Sequence, residues 1–154
     1  MLLEKQQATG EVYIKLYDEN GNLKQEKIIE NLVVNLGLAY ITSRLLSAAA
    51  IVMSHMAIGS GTTAAAGANT ALETELARVA LSSSVQETVT ITNDSVKYVA
   101  NFPAGTGTGA VTEAALLNAA SVGTMLARTV FAVVNKAAGD AMTIEWVIKF
   151  APAA

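Results

Sequence analysis

Apolar and polar positions alternate early in the chain. Val12, Ile14 and Leu16 alternate with Glu11, Tyr13, Lys15 and Tyr17, the period of two that marks a half-buried strand over 10–17. Asp18-Glu19-Asn20-Gly21-Asn22 follows. Asn-Gly is a strong hairpin signal because both residues tolerate positive φ, so a return strand is predicted over 23–29. Asn31-Leu32-Val33-Val34 then carries the chain inward. From Asn35 the period changes. Leu36, Ala39, Tyr40, Ser43 and Leu46 recur at helical spacing behind Asn35 as N-cap, which predicts one short α-helix at 36–48 covering a face or edge of the sheet. Strand patterns return at 54–59, 78–83, 87–92, 96–102, 111–117 and 125–134. A terminal strand follows, in which Met142, Ile144, Trp146 and Ile148 alternate with polar neighbours or Val147. Within 70–76, Thr70 as cap and Glu73 at capping-box spacing predict a helical turn. Turns are predicted at 92–95, 104–109, 118–123 and Gly139-Asp140. Many short strands with turns between them predict a mainly β fold, an antiparallel β-sandwich of jelly-roll-like type with an N-terminal β-hairpin.

Composition adds a surface to this picture. At 154 residues the chain is one domain's length. A charged hairpin segment, 1–34, belongs to the same domain as a sandwich body, 35–154. Ten of the 23 charged side chains lie in residues 1–30, so the body is charge-poor. The chain is 52% hydrophobic, 5% aromatic and 15% charged, with mean hydropathy +0.41. These values exclude a disordered chain, and the absence of Cys excludes a disulfide-stapled scaffold. Net charge is −3 without a Lys/Arg cluster, which argues against nucleic acid as a partner. The 28 residues between Arg44 and Glu73 carry no Asp, Glu, Lys or Arg. Ser47, Ser54, His55, Gly59 and Gly61 interrupt them, so they do not read as a membrane span. The first residues lack the basic and long apolar regions of a signal peptide, and synthesis in the cytoplasm is expected. The apolar excess therefore points to surface hidden against other copies or partners.

Candidate chemistry is sparse. Gly59-Ser60-Gly61 and Gly105-Thr106-Gly107-Thr108-Gly109 resemble phosphate loops in glycine content only. No Lys or Arg lies between Arg44 and Arg78 or between Lys97 and Arg128 to converge on a phosphate, so both read as flexible loops. His55 is the single histidine, too little for a metal site or a Ser-His-Asp arrangement. No catalytic, cofactor or metal-ligating residues are expected. Glu113 and Arg128 are charges set in apolar strands, and a buried charge is costly unless paired. They form either a core salt bridge that fixes strand register or a contact across a subunit interface. Arg78 and Glu75 pose the same choice.

Three stretches carry a family likeness. They are Asn31-Leu32-Val33-Val34-Asn35-Leu36-Gly37-Leu38; Met56-Ala57-Ile58-Gly59-Ser60-Gly61 running on through Thr70, Leu72, Glu75 and Arg78; and Phe102-Pro103-Ala104-Gly105 with Val111-Thr112-Glu113-Ala114-Ala115-Leu116-Leu117 and Met125-Leu126-Ala127-Arg128. Over about residues 30–150 the pattern resembles small virion proteins of tailed bacteriophages. It is similar to capsid decoration (cement) or head-fibre proteins, and more distantly to tail-collar fibre modules. The resemblance implies a non-enzymatic virion protein, made in the bacterial cytoplasm and carried on the capsid surface. It would form a homo-oligomer, commonly a trimer, bound to the major capsid protein. A tail, baseplate or fibre-attachment component is the alternative. A glycan-binding surface module is a further one, for which exposed aromatics would be needed.

Overall fold

The computed structural model describes residues 6–47 and 51–152. The first alternation becomes β1 (Gln6–Tyr17) and its return strand β2 (Leu23–Glu30). In the turn between them only Gly21 takes positive φ, at +83°, and Asn20 does not. The Asp18 carboxylate accepts the N–H groups of Asn20 and Asn22 at 2.9 and 2.8 Å, an Asx-type brace that closes the turn. The chain continues through β3 (Leu32–Val33), α1 (Asn35–Leu46), β4 (His55–Gly59), β5 (Glu75–Ala80), β6 (Ser83–Glu87), β7 (Ser95–Phe102), β8 (Gly109–Leu117), β9 (Met125–Lys136) and β10 (Ala141–Pro152).

Two five-stranded antiparallel sheets result, in the orders β2-β1-β10-β7-β6 and β3-β9-β8-β4-β5. The fold is the expected β-sandwich with an N-terminal hairpin. Each sheet joins two hairpins: β10 lies between β1 and β7 and joins β1–β2 to β6–β7, while β4 pairs with β8 and joins β4–β5 to β8–β9. Because side chains alternate across a strand, one face of each sheet turns inward. Val12, Ile14, Ile144, Trp146 and Ile148 from the first sheet meet Met56, Ile58, Val111, Leu116 and Leu126 from the second. Trp146 is fully buried, and among the described residues its Nε1–H has no hydrogen-bond partner.

Four local expectations are corrected. Asn35 is not the N-cap but the first helical residue. The cap is Val34, whose side chain has no acceptor to make a cap bond; it is buried, and its N–H donates to the Leu126 carbonyl at 3.2 Å. The end of the predicted helix at 48 lies outside the described residues. The single strand predicted over 78–83 is two strands in different sheets. The chain crosses between them at Leu81-Ser82, whose N–H groups donate to Ser54 O and Val99 O at 2.9 and 2.8 Å. The strand predicted over 87–92 stops at Glu87. Beyond it, the Asp94 carboxylate gathers the N–H groups of Val89, Thr90 and Ile91 at 2.8–2.9 Å, which turns the backbone around one anion. The helical turn predicted over 70–76 is instead irregular chain over 70–74 running into β5 at Glu75.

α1 crosses one end of the sandwich. Gly37 is its single buried residue and sits on the Leu126 carbonyl, where a Cβ would collide. Tyr40 and Ile41 pack partly buried against the main core. Nearby Tyr98 is pushed up to about 12 by burial, as expected of a phenol in apolar surroundings. Among the described residues no helix is long and apolar enough to cross a membrane.

Two predictions follow from these braces. Gly37→Val should force α1 off β9 and destabilise the protein by about 1–3 kcal/mol, as overpacking does, read from urea denaturation followed by Trp146 fluorescence. The Asp94 carboxyl is held at about 2 by the Ile91 and Val89 N–H groups, below its value in an unfolded chain. Its stabilising contribution is therefore complete above pH ~4 and is lost as pH falls from about 4 to about 2. Asp94→Asn should flatten the fall in melting temperature across that window.

Candidate functional site

The outward face of the second sheet carries the charges that the sequence singles out. Strand register sets Glu75, Gly59, Glu113 and Val130 in one row, and Arg78, Ala57, Ala115 and Arg128 in the next. Glu113 is fully buried and Arg128 nearly so. They meet within one chain, Arg128 donating Nε and Nη2 to Glu113 Oε2 at 3.0 and 2.8 Å. Of the two readings of this pair, the geometry is that of an intrachain core salt bridge.

The pair is covered by the loop between β4 and β5, residues 60–74. Glu113 Oε1 accepts the N–H of Gly61 at 2.9 Å and of Thr74 at 2.8 Å, while Oε2 accepts that of Glu73 at 3.1 Å. Arg128 Nη1 donates to Asn69 Oδ1 at 2.9 Å, and Nη2 also donates to the Thr63 carbonyl at 3.1 Å. Thr112, beside Glu113 on β8, donates its hydroxyl to Gly61 O at 2.7 Å. Burial alone would raise the Glu113 carboxyl. The Thr74 N–H, the Arg128 guanidinium and the Glu73 and Gly61 N–H groups outweigh it, and the carboxyl lies below the usual range, as when hydrogen bonds favour the charged form.

This network explains two sequence features. A Cβ on Gly61 would collide with the Glu113 carboxylate. Glycine stands here so that a backbone N–H can reach a buried anion, and that anion is the chain's own glutamate, not a phosphate. The predicted capping box fails because its parts are engaged elsewhere. The N–H groups of Glu73 and Thr74 bind Glu113, and the Glu73 carboxylate accepts the Thr63 N–H at 2.9 Å. The Thr63 N–H lowers the Glu73 carboxyl, with Arg128 a lesser cause. Under the same loop, Val34, Ala57, Ala115, Leu117 and Met125 form a second, smaller core with Leu72 packed on it.

Arg78 makes a separate clamp. It grips Glu75 with two bonds, of 3.0 and 2.7 Å, and donates Nη1 to the carbonyls of Ala119 and Val122, each at 3.0 Å. The β8–β9 turn is thereby held in place, with Val122 at φ +54° and 85% exposed. Positive φ is rare for a β-branched residue.

No family model, curated protein or solved structure matches this chain.

The remaining candidates lie apart. Ser54 Oγ and His55 Nδ1 are 2.8 Å apart, away from the loop network. Among the described residues no three His, Cys, Asp or Glu side chains are grouped to hold a metal ion. Lys136, which sequence reading passed over as a strand end, is also buried. Its ammonium donates to Pro103 O at 3.0 Å and Asp140 O at 2.6 Å, and desolvation lowers its pKa. Asp140 in turn accepts Lys24 at 2.7 Å, tying the β9–β10 connection to β2. The alternation of 125–134, extended two residues further, reaches Lys136 and was the available signal. A hollow of about 780 Å³ beside β1 and β3 is lined by Thr9, Glu11, Asn31, Asn35 and Lys149 among others.

Glu113 accepts five hydrogen bonds within the chain, so its lone pairs are occupied and it is closed to a substrate. Its chemistry is to hold a loop. Arg128→Met should leave a buried carboxylate short of its cation and destabilise the fold by about 3–5 kcal/mol. Hydrogen exchange should then show the amides of Gly61, Glu73 and Thr74 losing protection before those of β10.

Proposed function

We propose that this chain is a non-enzymatic structural protein of a tailed-bacteriophage virion, a capsid cement that assembles as an oligomer and clamps the head shell. One observation carries the reading. The residues on which the likeness rests, Gly59, Gly61, Glu75, Arg78, Glu113 and Arg128, are scattered over 70 positions yet gather on one face, Gly59 and Gly61 against the Glu113–Arg128 pair that pins the loop, and Glu75 with Arg78 in the clamp beside it. A pattern that builds a braced lid on a sandwich is a pattern for presenting a rigid surface, which suits a protein whose work is contact. The apolar side chains left at the surface, among them Ile28, Leu45, Leu46 and Val122, support the same reading, because large exposed apolar area marks interaction sites.

In this role the protein adds buried area where capsomers meet, at many equivalent positions, with the major capsid protein as partner and the trimer implied by the resemblance as the assembled unit. The glycan alternative has less support, since Trp146 is fully buried and presents no face for stacking a sugar.

The test is addition of purified protein to phage heads lacking it. Saturable binding and a higher temperature of DNA release are expected. Antibody labelling of virions should mark heads. Label confined to tails replaces the reading with the tail or baseplate alternative, and no label on virions overturns it.

A further inference from the structure

α1 is held by little of its own chain. Nine of its twelve residues are exposed, and it has no side-chain N-cap and no acidic residue in its first turn. An isolated helix of this length is marginal in water and draws its stability from packing. Within the chain that packing comes from Gly37, Tyr40 and Ile41. Yet the surface it turns outward is apolar. Leu38, Leu45 and Leu46 are 48%, 86% and 90% exposed, and Ile51 and Val52, close behind in the chain, are 67% and 57% exposed.

We propose that this end of the sandwich is a two-fold contact between copies of the chain, α1 packing antiparallel on α1. The inference rests on the reading of the protein as self-associating, and names the surface.

Area is the first argument. At roughly 150 Å² for a fully exposed leucine side chain, Leu38, Leu45 and Leu46 alone present on the order of 350 Å², the size of a typical monomer's largest apolar patch. A standard interface takes about 800 Å² from each partner, some 60% of it apolar, which is about 500 Å². The three leucines of one helix therefore supply about two thirds of the apolar part of one interface.

Self-complementarity is the second. Leu38 and Leu45 are seven residues apart and lie on one flank of the helix, so an antiparallel two-fold sets Leu38 of each copy against Leu45 of the other. Ala39 and Thr42 lie between Leu38 and Leu46, and their small side chains let the two backbones approach. Charge is the third. No charged residue occurs from Leu45 to Leu72, and Arg44 is near Tyr98 on the core side. A membrane-surface helix would carry Lys and Arg along its polar face, and this one does not.

The experiment is sedimentation velocity on the full chain over a range of concentrations, with circular dichroism and Trp146 fluorescence as fold controls. The wild type should run as an even-numbered species, a dimer or a pair of trimers. Leu45→Lys combined with Leu46→Lys should halve that mass and weaken association about a hundredfold or more, as loss of a central apolar anchor does. Val122→Lys, at the β8–β9 turn, should leave the mass unchanged. Should the double variant unfold, a milder probe remains. The chain has no cysteine, so Thr42→Cys, near the proposed axis, should oxidise to a disulfide-linked dimer while Val122→Cys does not. A folded double variant of unchanged mass, a wild type that is only a trimer, or cross-linking at Val122→Cys alone overturns the surface and leaves self-association standing. A wild-type monomer throughout overturns both, and one that binds heads through the same leucines reassigns the patch to the shell.

Discussion

A carboxylate with no exposed surface sets the terms for half of this molecule. Glu113 stands in a strand whose inner neighbours build the main core, and its own side chain points to the other face. An anion there needs donors, because removing it from water costs several kcal/mol that only charge pairing and hydrogen bonds offset. Arg128 on the adjacent strand supplies two bonds, and three backbone N–H groups supply the rest. Those amides belong to Gly61, Glu73 and Thr74, at the two ends of the β4–β5 loop. Satisfying one side chain thus fixes where a fifteen-residue connection begins and ends its crossing of the sheet. The loop has little apolar material of its own with which to dock. Leu72 and the polar network hold it, and the bonds that Glu113 takes from Gly61 and Arg128 are buried from water.

The two outer faces of the sandwich differ for this reason. On the first sheet, Glu11, Tyr13, Lys15, Glu145 and Lys149 alternate outward into water, the ordinary arrangement for an antiparallel sheet with one solvated face. On the second sheet, the covering loop excludes water, and the outward positions become a small core of Val34, Ala57, Ala115, Leu117 and Met125. Alanines at Ala57 and Ala115 leave room for the loop to lie close. The charge asymmetry visible along the chain, dense before residue 30 and sparse after it, becomes an asymmetry between faces.

Legibility followed the physics of each signal. Alternation at 10–17 and through Met142–Ile148 identified β1 and β10 because one face of each is buried and the other wet. The pairing of Glu113 with Arg128 was foreseeable from two charges in apolar strands, since burial leaves few other outcomes. What that pair would hold was not foreseeable. The donors are backbone amides, which every residue carries, and only the Gly59-Ser60-Gly61 spacing hinted that backbone would approach something closely. Thr70 and Glu73 misled because capping is a local preference, overridden once a buried anion elsewhere claimed the same amides. Strand 87–92 failed likewise: Val89 and Ile91 fit a pleated surface, but Asp94 binds three consecutive N–H groups around itself, which a strand ladder cannot do. Both errors share a form. In each a carboxylate competed for the backbone amides and won, Glu113 from some forty residues away and Asp94 from three to five.

The same competition explains where the chain's high hydropathy is spent. Alanines at 57, 100, 114, 115 and 127 are fully buried, so part of the apolar excess is small side chains that let sheets and loop pack closely. That part needs no partner. The leucines of α1 are a different case. They lie outside the region that the ion pair organises, on a helix whose buried contact is a glycine against a carbonyl. Glycine there brings the helix axis near the sheet and contributes no apolar side chain to the contact, so the helix's own leucines are left turned away. Replacing Gly37 with a large residue would have stood the helix off and exposed its inner side. Keeping it holds α1 flat, with its apolar flank outward, and that is the conformation in which a flank can be shared.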